Sequence, residues 1–86
     1  MTYTIIISQS ALKELQGLQK ATVKKIEKSI NSLAQNPRPV GVKKLQGNNE
    51  NLYRIRSGDY RVIYSINDEI RIVDIRRIGH RKDIYK

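Results

Sequence analysis

Apolar residues recur at two different spacings along the first 36 positions. Tyr3 to Ser8 (YTIIIS) is dense in β-branched side chains and predicts a strand. Ala11, Leu12, Leu15 and Leu18 follow at helical spacing, with Ser8 or Ser10 placed to cap the helix and Gly17 marking where it frays. A second helix is predicted from about Lys20 to Gln35. Val23, Ile26, Ile30, Leu33 and Ala34 share one face, and Lys24, Lys25, Glu27 and Lys28 ride mostly on the other. Asn36-Pro37-Arg38-Pro39 stops it, because proline cannot donate to the helical ladder and forces the residue before it out of helical geometry. With almost no linker between them, the two helices should form an antiparallel hairpin.

Beyond the prolines the period changes from 3.6 to 2. Leu52 to Arg56 alternates, Ser57-Gly58-Asp59 supplies a turn, and Tyr60 to Ile66 is a second alternating run. Asn67-Asp68-Glu69 turns the chain again. Ile70 to Ile78 (IRIVDIRRI) is a third strand, apolar at both parities in its middle, as expected where both faces are covered. Gly79 ends it before a polar tail. The order β-α-α-β-β-β predicts an α+β fold over residues 1–86, one domain, with the helix hairpin packed on one face of a mainly antiparallel four-stranded sheet. The other face, carrying Arg54, Arg56 and Arg61 or their neighbours, stays open.

Composition narrows the chemistry. The chain has no Cys, Trp or Phe, so its core is aliphatic with Tyr as the sole aromatic, and disulfides and Cys-ligated metal sites are excluded. The opening MTYTIIISQS has neither the basic n-region of a signal peptide nor the length of a membrane span, and a cytoplasmic location is expected. Seventeen Lys and Arg against eight Asp and Glu leave a net charge of +9, which draws polyanions ahead of other partners. The kind of base also changes along the chain. Residues 1–50 hold seven Lys and one Arg, whereas residues 51–86 hold seven Arg and two Lys. Arginines on strands present fixed forks suited to phosphates.

A single His and scattered acids supply no metal cluster, and no spaced glycine loop is present. No cofactor is expected, and any catalysis must run on Arg, Lys, Tyr and His80. That set suits RNA, which carries its own nucleophile in the 2′-hydroxyl. The protein then has to align the attack, neutralise the transition-state charge and move two protons. Arg54 and Arg56, two apart, share a strand face; Arg61 lies one strand over between Tyr60 and Val62; His80, Arg81 and Tyr85 lie close together. Each also has a bland reading: solubilising decoration for Arg54 and Arg56, a salt bridge to Asp59 or Asp74 for Arg61, simple exposure for His80, a tail anchor for Tyr85. Lys43, Lys44 and Arg77 could steer RNA or merely be solvated.

Taken together, three elements resemble the RelE/ParE toxin superfamily, and its RelE branch most closely. They are Lys44-Leu45-Gln46-Gly47, the run Tyr53-Arg54-Ile55-Arg56-Ser57-Gly58-Asp59-Tyr60-Arg61-Val62-Ile63-Tyr64, and Ile75 to Tyr85 (IRRIGHRKDIY). With the Ala11 to Leu15 helix (ALKEL) the resemblance spans nearly the whole chain. It implies the toxin of a type II toxin–antitoxin pair, a ribosome-dependent endoribonuclease that cleaves mRNA in the A site by metal-independent 2′-hydroxyl attack. It implies that Arg61 stabilises the transferring phosphate, that Arg81 assists, and that Tyr85 stacks on a base, orients the 2′-hydroxyl or handles its proton. Arg54 and Arg56 stand where the best-known members carry basic residues, usually lysines. Arginine cannot serve as a base, so that role passes to His80 or Tyr85. The turn between Tyr53 and Tyr60 is also shorter than usual, which shifts the alignment of Arg54 and Arg56 by up to one strand step.

Expected partners are a cognate antitoxin, acidic or amphipathic, together with the ribosome and mRNA; neither membrane nor direct DNA binding is expected. Two alternatives stand beside this reading. One is a ParE-like toxin that inhibits DNA gyrase by protein contact, a branch that generally lacks the full Arg and Tyr set. The other is a non-toxic remnant or plain RNA-binding module. Whether translation or replication stops first on expression separates the two toxin readings.

Overall fold

The computed structural model describes residues 2–45 and 51–82. The elements are β1 (Thr4–Ile7), α1 (Gln9–Gln16), α2 (Lys20–Ser32), β2 (Lys43–Lys44), β3 (Leu52–Ser57), β4 (Tyr60–Asn67) and β5 (Ile72–His80). They form one sheet in the order β1-β5-β4-β3-β2, with β1 parallel to β5 and every other pairing antiparallel. The α+β architecture is as expected, but the sheet has five strands where four were predicted. The fifth, β2, is two residues long, too short for an alternating pattern to show in sequence.

Ser8 caps α1: its hydroxyl accepts from the Ala11 amide at 3.1 Å and donates to the Arg76 carbonyl at 3.1 Å. One side chain therefore starts the helix and fastens it to β5. Glu14 adds a second fastening, accepting from the Ile78 amide at 3.2 Å and from Arg77 Nε at 3.3 Å. Helix α2 ends at Ser32, three residues earlier than predicted, in a run of short-range turns that leads into the prolines. α1 lies over β5, and α2 lies over β3 and β4.

The core is a single cluster. Ala11 and Leu15 of α1, Ile26 and Ile30 of α2, and Leu33 meet Ile55, Val62, Tyr64, Val73, Ile75 and Ile78 of the sheet. The odd spacing of the last three has a cause. Pairing between β4 and β5 slips between Ile63 and Tyr64, so Ile63 faces Arg77, Tyr64 faces Ile75, and Arg76 is the extra residue of a bulge. The mixed parity of IVDIRRI thus reflects a bulge and not cover on both faces. β5 also begins two residues later than predicted. The Asn67 carboxamide accepts from the amides of Glu69 and Ile70, and Arg71 takes a left-handed φ of 55° before the strand starts.

The proline segment is held by aromatic and ionic contacts. Tyr64, fully buried, donates its hydroxyl to the Pro37 carbonyl at 2.7 Å and stacks on Tyr53 at 5.9 Å. Arg38 lies over the Tyr53 ring and forks onto Asp68 at 3.2 and 2.9 Å, while the Tyr3 hydroxyl donates to the same carboxylate at 2.6 Å. Arg38, and then Tyr3, hold the Asp68 carboxyl below the usual carboxylate range. This clasp joins β1, the proline loop, β3 and the β4–β5 turn.

Tyr64→Phe should destabilise the protein by about 1–2 kcal/mol in urea titration, because the buried Pro37 carbonyl loses its donor. A carboxyl with a depressed folded pKa stabilises above its unfolded pKa and loses that contribution as pH falls through the folded value. The melting temperature should therefore drop on acidification below the carboxylate range, and Asp68→Asn should flatten that part of the profile.

Candidate phosphate-binding face and active site

Strand alternation and register place the basic residues. Across the sheet Arg54 lies opposite Ile63, Arg56 opposite Arg61, and Arg61 opposite Gly79 on its other side. Directly opposed residues share a face, so Arg54, Arg56 and Arg61 all lie on the face away from the helices. Lys43, opposite Arg54, joins them. Arg81 follows β5, its amide donating to the Asp59 carbonyl at 2.9 Å, and so continues the pairing on the side of Gly79 and Arg61. The shortened turn is a two-residue loop, Gly58-Asp59, with Gly58 at a φ of 60° that a side chain disfavours. With this loop, Arg56 lies directly opposite Arg61, and Arg54 lies opposite Ile63.

Arg61 is the centre of the face. It is only 7% exposed, yet among the described residues its one hydrogen bond is a 3.3 Å contact from Nη1 to the Tyr60 carbonyl, and its buried Nε has no partner. Neither Asp59 nor Asp74 pairs with it; Asp74 instead holds Arg76 Nε at 3.0 Å. Gly79, directly across from Arg61 on β5, presents no side chain. Burying a charged group with donors to spare costs free energy unless a ligand completes it. Arg56 and Arg81 are exposed, and neither has a carboxylate partner among the described residues. By register Arg56, Arg61 and Arg81 thus lie on one face of the sheet.

Other expected site residues are placed differently. Lys44 lies opposite Tyr53 and so points to the other side of the sheet edge from Lys43. Arg77 is tied to Glu14 of α1 by Nε at 3.3 Å and Nη2 at 3.4 Å, a structural ion pair and not a free substrate contact. His80 is opposite Tyr60, meets its ring edge-to-face at 5.6 Å and belongs to the helix side. Its Nδ1 accepts from the Lys82 amide at 3.2 Å, so in the neutral ring the proton sits on Nε2. Tyr85 lies outside the described residues, as do Gln46 and Gly47. Two neighbours were missed in the sequence: Gly79 as the residue across from Arg61, and the Asp59 carbonyl that holds the Arg81 amide. The glycine before His80 was the available signal, but only the register gives it a partner.

A basic three-strand face over a two-helix layer defines a class of small α+β proteins. Residues 5–85 match the family described as the ParE toxin of the type II toxin–antitoxin system, parDE. The chain is 36% identical to a protein designated RelE1 of Methanocaldococcus jannaschii, covering 100% of this chain and 98% of the relative. It is 35% identical to toxin RelE of Mycobacterium tuberculosis, covering 98% and 87%. The archaeal RelE of the RelE–RelB complex from Pyrococcus horikoshii superposes with a TM-score of 0.83 at 37% identity, over 96% of this chain and 99% of that one. The chain belongs to the RelE/ParE superfamily of type II toxins.

Because Arg61 is buried with unused donors, Arg61→Met, which keeps the volume and removes the charge, should leave the melting temperature unchanged or higher. A marked drop on differential scanning fluorimetry would show that the guanidinium is structural.

Proposed function

We propose that this toxin is a ribosome-dependent endoribonuclease that cleaves mRNA in the A site without a metal, acting in the cytoplasm and neutralised by a cognate antitoxin. The observation that carries the proposal is Arg61, buried with an Nε that has no partner among the described residues, on the sheet face it shares with Arg56 and Arg81. The message's 2′-oxygen attacks the adjacent phosphorus, the 2′-O–P bond forms as the P–O5′ bond breaks, and the products are a 2′,3′-cyclic phosphate and a 5′-hydroxyl. Charge building on the non-bridging oxygens meets Arg61 from below, with Arg56 and Arg81 closing from the sides. Donors preorganised in this way typically supply about 10²–10³-fold each.

Arg54, Arg56 and Lys43 would guide the backbone across the sheet. With Arg fixed as a cation, the 2′-hydroxyl proton goes to His80, to Tyr85 or to water, and the departing 5′-oxygen takes up a proton from water. RelE relatives are solved as complexes with RelB, which supports an antitoxin partner here. An acidic or amphipathic segment laid over the arginine face would block the phosphate site directly.

A second reading has one observation of its own, the ParE description of the matching family. On that reading the chain inhibits DNA gyrase by contact and performs no chemistry. The uncompensated arginines are then unexplained, which places it second.

Primer extension on a defined message in purified ribosomes tests the proposal. Cleavage should occur at the A-site codon, be absent on naked RNA, persist in EDTA at levels that leave the ribosomes intact, and vanish with a 2′-deoxy residue at the scissile position. Arg61→Ala and Arg81→Ala should each slow single-turnover cleavage by about 10²–10³-fold while remaining folded. Wild-type rates in both would show the site to be misassigned. Tyr85→Phe should slow the chemical step and leave ribosome binding unaltered. Folded, antitoxin-free protein that cuts nothing but blocks supercoiling would establish the gyrase reading.

A further inference from the structure

β1 covers only the first part of β5. Its pairing runs from Thr4 opposite Ile72 to Ile7 opposite Ile75, and the Ser8 amide closes it by donating to the Ile75 carbonyl at 2.9 Å. Beyond Ile75, no described strand pairs with this side of β5. Helix α1 takes over the edge. The Ser8 hydroxyl donates to the Arg76 carbonyl at 3.1 Å, and the Glu14 carboxylate accepts from the Ile78 amide at 3.2 Å. Two side chains thus stand in for a missing strand, at the bulge residue itself and two residues beyond it.

That bulge decides what lies beside Arg61. Had the pairing run on regularly from Tyr64 and Ile75, Arg61 would face Ile78, and Tyr60 would face Gly79. Gly79 and Arg81 would then pass to the helix side of the sheet, since a one-residue slip exchanges the faces. Burial of Ile78 opposes the slip, but apolar attraction is non-directional. Hydrogen bonds depend on distance and angle, so the two contacts from α1 set where along the edge the segment sits.

Glu14 also governs Arg77. Register puts Arg77 opposite Ile63, and so on the sheet face with Arg61, yet Glu14 draws its guanidinium to the α1 edge through Nε at 3.3 Å and Nη2 at 3.4 Å. An arginine held there does not compete with Arg61 and Arg81 for a phosphate.

We propose that Ser8 and Glu14 are positioning residues for the arginine centre: from α1 they hold the β5 bulge, and through it the placement of Arg81 against Arg61. This rests on the ribonuclease reading above and adds to it two residues from outside the arginine set. Bulges beside active sites commonly re-aim a side chain, and a misplacement of about 1 Å can cost about 10²-fold in rate.

Glu14→Ala and Glu14→Gln test the brace, because Gln keeps an oxygen for the Ile78 amide. Glu14→Ala should slow single-turnover cleavage at saturating toxin by about 10- to 100-fold. Its half-saturating toxin concentration should stay level or fall, since Arg77 is released as a further cation. Glu14→Gln should recover most of the rate. Ser8→Asp keeps a good helix cap but loses the donor to the Arg76 carbonyl, and should also slow cleavage. A core variant matched to Glu14→Ala in melting temperature, Ile30→Val or Ile30→Ala, should cleave at the wild-type rate. Amide hydrogen exchange supplies a readout that needs no cleavage. Exchange at the Arg81 amide, which bonds the Asp59 carbonyl, should rise about tenfold or more in Glu14→Ala and not in Glu14→Gln. The proposal is overturned if Glu14→Ala is slowed no more than the matched core variant, or if its Arg81 amide exchanges as in wild type. A wild type that cuts nothing, with the Arg81 amide responding as expected, would support the brace and sink the ribonuclease reading instead.

Discussion

Everything in this molecule hangs on the register of β4. Its even-numbered residues Tyr60, Val62, Tyr64 and Ile66 pack toward the helices, and Arg61 and Ile63 alternate onto the open face. A slip of one residue would drive Arg61 into the aliphatic core and expose Val62 and Tyr64. Burial of that apolar set therefore fixes the position of the arginine, and the two-residue turn at Gly58-Asp59 then brings Arg56 directly opposite it. The bulge at Arg76 lets β5 keep Val73, Ile75 and Ile78 in the same core while setting Gly79 beside Arg61. The functional face is in this sense a by-product of packing on its reverse.

The few carboxylates are distributed in a way that sharpens the division of labour. Glu14 holds Arg77, Asp68 holds Arg38 and Asp74 holds Arg76. Each of these pairs joins or braces elements. Arg56, Arg61 and Arg81 receive no carboxylate among the described residues. In a chain of net charge +9, acids spent on architecture leave the sheet face uncompensated. The helix face shows the same pattern in Lys20, Lys24, Lys25 and Lys28. Self-repulsion of this kind lowers the stability of a free protein and raises its attraction for polyanions.

Much of the fold could be read from the sequence because its signals are local. The helical stripe of Val23, Ile26 and Ile30, the stop at Asn36 to Pro39, and the alternation of Tyr60 to Ile66 each follow from periods of 3.6 and 2 that any ten-residue window reveals. What escaped was set by contacts distant in sequence. Lys43 and Lys44 become a strand only because β3 offers an edge to pair with. Arg77 looks like its neighbours until Glu14, 63 residues earlier, takes it up. Nor does the sequence show that register sets His80 against the Tyr60 ring, with its Nδ1 accepting from the Lys82 amide.

The sequence by itself determined the element order, the family, and the list of groups from which a site could be built, because composition and periodicity are properties of the chain alone. Only the tertiary structure decided which of those arginines are clasps and which are available. Whether a guanidinium meets a carboxylate, a core or open space depends on residues that pairing and packing bring to it from elsewhere in the chain.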